Sequence, residues 1–417
     1  MPAPKKRKIN APKSVRRQST ARAVGAPTTV PARVRARREK LLRETTALPT
    51  AAGREARVMQ YVEAWVQSLG AKATLARDAY GNLHIHRADA TKDATAPHPA
   101  LYLTAHLDHP AFVVREVKDA RCIALEFRGG VNDPYFDRAR IEVIDAKGRA
   151  HRARITVLDA TAKPFKTVTA TLARRATSVA AGDVARWLLP KPRIARGIFY
   201  THACDDLAAV AAAMCAFEES LIHPERSNLR LLFTRSEEIG FIGTLGVARD
   251  GLVPKEARLV CLENSRSFPH DSPIGAGPIV RVGDRITVFS PALTNRISHI
   301  ANEVVKEDPS FKFQRKLMPG GACEASAFAS YGFLSTCLCL PLGNYHNMQD
   351  IDGVAAGKRP ARVGSEHIAL SDFHGLIRLI NEIARRIDAK PLAGELADPV
   401  HALMERLWAT HHAIVGG

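Results

Sequence analysis

Closely spaced cysteine pairs are missing: the seven cysteines of this 417-residue chain include no Cys-x-x-Cys. An odd count in so long a chain excludes a disulfide framework as the organising principle, and a reducing, cytoplasmic compartment is expected. Long apolar runs are missing too. The longest, Leu207 to Phe217, falls well short of the ~18–20 residues of a membrane span and reads as a buried helix. There is no Gly-Lys-Ser/Thr phosphate loop, and neither Ser236 nor Ser265 has a nucleophile-elbow setting. Neither a P-loop nucleotide hydrolase nor a nucleophile-elbow serine hydrolase is therefore expected. No internal repeat is present.

Acids are scarce in one place. Residues 1–43 carry fourteen Lys and Arg against the single acid Glu39, which accounts for +13 of the net +18. This segment, with Lys5-Lys6-Arg7-Lys8 and no periodic apolar pattern, is expected to be a disordered basic tail over residues 1–45. It lacks the apolar stretch of a secretory signal. A solvated extension is the simpler expectation and weak polyanion binding the sharper one. No aromatic residue interleaves the charges, so a base-stacking platform is absent.

What is present is a chain rich enough in apolar residues, at 46%, to bury a sizeable core. Helical spacing runs from Gly53 to Leu69, and strand-like segments follow at Leu83–His86 and Leu101–Leu103. Between about 114 and 192, short β-branched runs alternate with turn residues, the mark of a small all-β unit. Strands at Leu229–Phe233, Arg258–Leu262 and Leu334–Leu340 then alternate with helices after Asp205, near Asn295–Lys306 and at Ser371–Ile387. The expected fold is α/β, a mixed and largely parallel sheet covered by helices on both faces, with the all-β domain inserted. The expected organisation is catalytic domain over 46–113 and 193–388, insert at 114–192 and an extension at 389–417.

Acidic and imidazole residues recur just beyond the expected strands, where open α/β sheets bind ligands. His106-Leu107-Asp108 places two residues on one side of a strand end, so that Asp108 can orient the imidazole of a metal ligand. A satisfied surface His beside an acid gives the same pattern. In Cys204-Asp205-Asp206 one acid is explained as a helix cap. The other, Asp205, has two oxygens that could bridge two cations. Glu237 and Glu238 are adjacent carboxylates after an apolar strand, and they repel unless a cation lies between them. One as ligand and one as base for a metal-activated water is economical, and an acidic surface turn is the alternative. Glu263 and His346 follow two further strands. Two His with carboxylates suit zinc, and by ligand type cobalt or manganese. His84 and His86 share a strand face but have no apparent third ligand.

Together these segments resemble the M42-type glutamyl aminopeptidases of the co-catalytic metallopeptidase clan. The matching stretches are Asp78-Ala79-Tyr80-Gly81-Asn82-Leu83, Ala105-His106-Leu107-Asp108, Cys204-Asp205-Asp206, Ser236-Glu237-Glu238-Ile239-Gly240, Glu263, Gly320-Gly321 and Tyr345-His346-Asn347, covering about residues 48–388. The chain departs from the family pattern at Leu207, at Glu263 and in Gly320-Gly321-Ala322-Cys323-Glu324. The resemblance implies two divalent ions, one held by His106, Asp205 and Glu263 and the other by Asp205, Glu238 and His346. It implies Glu237 as general base, Asp108 as support, a peptide substrate with a free N-terminus, and a homo-oligomer joined through the insert. The residues alone equally serve an N-acyl amino acid deacylase. A polyanion-binding protein with an inert hydrolase body is the reading from another class.

Overall fold

The computed structural model describes residues 30–90, 98–223, 228–389, 398–411 and 414. Helices α1 (Ala32–Thr45) and α2 (Ala56–Ser68) lead into β1 (Ala73–Arg77), β2 (Leu83–Arg87) and β3 (Leu101–His106). The next six strands are β4 (Ala111–Val117), β5 (Cys122–Arg128), β6 (Arg140–Ile144), β7 (Ala150–Asp159), β8 (Lys166–Leu172) and β9 (Val184–Trp187). After β10 (Arg193–Ala195) and β11 (Ile198–Thr201) come α3 (Leu207–Ser220), β12 (Leu229–Thr234), α4 (Ile242–Asp250), β13 (Arg258–Arg266) and β14 (Ile279–Gly283). The chain continues through α5 (Pro291–Glu307), β15 (Gln314–Leu317), α6 (Glu324–Ser330), β16 (Leu334–Leu342) and α7 (Ile351–Ala355). It ends in β17 (Glu366–Ala369), α8 (Leu370–Arg386) and α9 (Asp398–His411).

Eight strands pair in the order β1-β2-β12-β3-β13-β16-β14-β15. The central four, β12, β3, β13 and β16, are parallel, with antiparallel joins at β2 and β14. Their sequences are almost continuously buried, as parallel strands covered on both faces must be. One face packs on α2, α3, α5 and α8, and the other on α4 and α6. Helix α3 is buried all round, and its run of alanines suits a helix enclosed between the sheet and its neighbours α1 and α8.

The insert closes on itself as a six-stranded barrel, β4-β5-β8-β7-β6-β9. Phe112, Phe127, Phe136 and Trp187 fill it with mostly edge-to-face contacts. Closure leaves no free strand edge.

The basic segment is shorter as a tail than expected. Residues 32–45 form α1, and its Leu41 and Leu42 enter the core. Arg37 pairs with Glu218 at 2.9 Å and buried Arg38 with Glu219 at 2.6 Å, both on α3. Local periodicity misses α1 because Arg37 and Arg38, which read as solvated charge, find their partners 181 residues away. The rest of the expected tail lies outside the described residues. A chain beginning at Leu48 is expected to melt well below one beginning at Val30, since fully burying each Leu side chain is worth ~1.5–3 kcal/mol. Equal melting temperatures by calorimetry would show that α1 is not part of the folded body.

Candidate metal centre

The C-terminal ends of the parallel strands converge on one acidic cleft. His106 ends β3, and Glu237 and Glu238 follow β12. Glu263 lies within β13, which runs on to Arg266 rather than stopping before it. Asp205 precedes α3, and His346 follows β16. All six side chains expected to act as ligands or base meet here, although they are spread over more than half of the chain.

Asp205 is the centre. Its Oδ1 is 3.4 Å from Nε2 of His106, and its Oδ2 is 3.5 Å from Nε2 of His346. Around it, His106, Asp205, Asp206 and Glu263 offer ligand atoms within 4.8 Å of one another, and so do Asp205, Glu238 and His346. Glu238 Oε1 lies 3.2 Å from His346 Nε2, and Glu263 Oε1 lies 4.0 Å from His106 Nε2.

Both imidazoles are turned the same way. Nδ1 of His106 donates to the carbonyl of Asp108 at 3.1 Å, and Nδ1 of His346 donates to the carbonyl of Gly130 at 2.6 Å. A carbonyl only accepts, so each ring keeps its proton on Nδ1 and presents the Nε2 lone pair to carboxylates. That arrangement fits a cation between them. The buried Oδ1 of Asp205, which has no hydrogen-bond partner, fits it equally.

Without a cation, and despite burial, the carboxylates favour a second proton on each ring, at the Nε2 that a bound ion would otherwise occupy. Burial pushes the Glu237 and Glu263 carboxyls well above the ordinary range, with neighbouring carboxylates adding to it. Burial alone would depress His346, but Glu238 and Asp205 carry it well above its usual value. Asp205 stays below the usual range despite burial, because both imidazoles face it. Strongly perturbed groups gathered in one cleft mark a functional site.

Asp108 works differently from the expected partner of His106. It supports that ring mainly through its carbonyl, with its carboxylate Oδ1 3.5 Å from Nδ1. The carboxylate instead accepts the N–H groups of Glu237 at 3.0 Å and Glu238 at 3.1 Å. Asp206 occupies the cap position of α3 without capping it. Its oxygens accept from the His106 N–H at 3.3 Å and from Asn264 at 2.9 Å. His84 pairs with Asp78 at 3.1 Å and takes no part in the cleft.

Three buried carboxylates escaped the sequence reading. Glu55, at the start of α2, accepts from the N–H and hydroxyl of Ser236, each at 3.1 Å, and from Arg235 Nε at 2.9 Å. It grips the loop that carries Glu237, where Ser236 adopts a left-handed backbone (φ 57). Gly243 of α4 packs so close beneath this loop that a Cβ would lie 2.7 Å from the Arg235 backbone. Glu324 lies under the site and takes hydroxyls from Thr104, Thr234 and Thr244. Glu366 touches two ligand loops at once. The only local signal for such residues is a carboxylate in an otherwise buried segment with no cation nearby in sequence.

Behind the cleft, His202 is buried between barrel and sheet, and neither ring nitrogen has a hydrogen-bond partner. Glu142 is 3.9 Å away but is held by Arg186 at 2.9 Å. Burial, and then Arg186, push His202 down to about 3. The unfolded chain therefore binds this proton first as pH falls below 6.5. Stability is lost from there down towards the folded value, by at most ~1.4 kcal/mol per pH unit. In His202→Gln the fall in melting temperature between neutral pH and pH ~4.5 should be shallower, within that window. An unchanged slope would mean that His202 does not carry this linkage.

Among curated proteins, none matches this sequence. The profile of the M42 glutamyl aminopeptidase family matches residues 87–359. Solved structures share the fold. The TET1 peptidase of Pyrococcus horikoshii superposes with TM-score 0.65 at 19% identity, covering 83% of this chain and 99% of that one. A TET aminopeptidase from a marine-sediment Thaumarchaeota archaeon gives 0.68 at 17% identity, covering 86% and 99%. An aminopeptidase from the archaeon Desulfurococcus kamchatkensis gives 0.66 at 18%, covering 84% and 95%. With the family profile spanning most of the chain and its strand ends bearing a buried His/Asp/Glu centre, this protein belongs to the M42 glutamyl aminopeptidase family and is a metal-dependent peptidase.

Proposed function

We propose that the chain is an aminopeptidase that uses two divalent cations, zinc foremost, to hydrolyse the N-terminal peptide bond of its substrates. The observation that carries this reading is Asp205 set between two imidazoles, one to each oxygen. His106, Asp205 and Glu263 would hold one ion, and Asp205, Glu238 and His346 the other. When bound, the pair polarises the scissile carbonyl and lowers the pKa of water. Glu237 takes the proton from the attacking water and returns it to the leaving amine. Asp108 keeps Glu237 in place by holding the two N–H groups of its loop. The Pyrococcus horikoshii relative assembles into a tetrahedron or a large octahedral shell. By analogy we propose a homo-oligomer here, with the barrel as the contact domain. Light scattering of the chain with and without exposed-face substitutions in the barrel tests this.

The deciding assay is turnover on a panel of aminoacyl amides, short peptides and N-acyl amino acids. It is run after chelation and again after adding zinc, cobalt or manganese. Metal-restored cleavage of substrates with a free amino group supports the proposal. Cleavage confined to N-acyl substrates would replace it with the deacylase reading. No turnover with any metal would leave the reading without support.

A further inference from the structure

Glu366 opens β17 with its side chain fully buried. A carboxylate in that position is costly unless donors are aimed at it. Among the described residues its hydrogen bonds all come from backbone N–H groups of two separate loops. Oε2 accepts from Cys204 at 2.7 Å and Asp205 at 3.0 Å, while Oε1 accepts from His346 at 2.8 Å. The second loop needs such a hold. Asn344, His346 and Asn347 all have left-handed backbones, with φ of 54, 53 and 63. Residues other than glycine keep that conformation only where their surroundings impose it.

We propose that Glu366 is a positioning residue that couples the two ligand loops. It fixes the backbone of Asp205 against that of His346, so that Asp205 Oδ2 and His346 Nε2, 3.5 Å apart, address one cation. This rests on the metal reading above. A single side chain thereby sets the spacing between the bridging carboxylate and the ligand imidazole. Glutamine cannot replace it, because its amide nitrogen must face either the His346 N–H or the Cys204 and Asp205 N–H groups, donor against donor. Aspartate, one methylene shorter, reaches one loop and not both.

The test is zinc titration of the full chain by competition with a chromophoric chelator, beside the melting temperature of the metal-free protein. Glu366→Gln is expected to weaken zinc binding by ~10–100-fold, with the metal-free protein still folded at the temperature of the titration. Excess zinc should restore turnover. Should that variant not fold, Glu366→Asp is titrated in its place, with the same loss expected. Zinc affinity within twofold of wild type, or an effect confined to the metal-free melting temperature, overturns the role. A wild-type chain that binds no zinc overturns the metal reading and this role with it. Tight wild-type binding beside an unaltered variant overturns Glu366 alone.

Discussion

Glu237→Gln is expected to lose turnover by ~10²–10⁴-fold, the usual worth of a general base, while zinc content stays at the wild-type level. The amide has the same shape but accepts no proton. Its backbone N–H still reaches Asp108 Oδ1, so the loop geometry survives. Glu237 Oε2 stands 3.9 Å from His106 Nε2, and with His106 and Glu238 it forms a group that could itself hold an ion, so its role as base or ligand is what the variant decides. Steady-state kinetics on an aminoacyl amide, with metal analysis of the same sample, separates the two roles. Near-normal turnover would remove Glu237 as base, and loss of metal would make it a ligand.

The second large effect is expected at Asp205. Asp205→Ala removes both oxygens that face the imidazoles, and both ions should leave together. A lone histidine with one neighbouring carboxylate is left on each side. The variant should then keep its secondary structure but lose turnover at zinc concentrations that saturate the wild type. One ion still tightly bound would show two independent sites instead of a bridged pair. Asp205 Oδ1 is buried with no hydrogen-bond partner, so its loss leaves no donor stranded in the fold.

The parts of this protein that were legible in its sequence are those with local signatures. Parallel strands announced themselves as apolar runs, and the residues that gather in the centre by standing where such runs stop. Glu263 shows the limit of that rule, since β13 continues three residues past it and pairs with β16 as far as Arg266 and Leu342. Antiparallel β14 and the closure of the barrel depend on pairings that no local period encodes. The same holds for the residues that hold the centre in shape. Asp108 reaches a loop |i−j| = 129 residues away, and Glu55 one 181 residues away. In sequence, Glu55 is one more acid at a helix start, and Glu366 one more at a strand start.

Every ligand expected from the sequence lies outside the barrel. The barrel's Gly130 carbonyl nonetheless accepts a hydrogen bond from Nδ1 of His346. The unit that looks like a removable module therefore sets the tautomer of one proposed metal ligand. A version cut cleanly at the domain boundary, with the sheet well folded, would leave His346 without its Nδ1 acceptor at the proposed second ion. Modularity of the chain and modularity of the site are different things here: exchanging this barrel would exchange a contact of the proposed centre along with the scaffold.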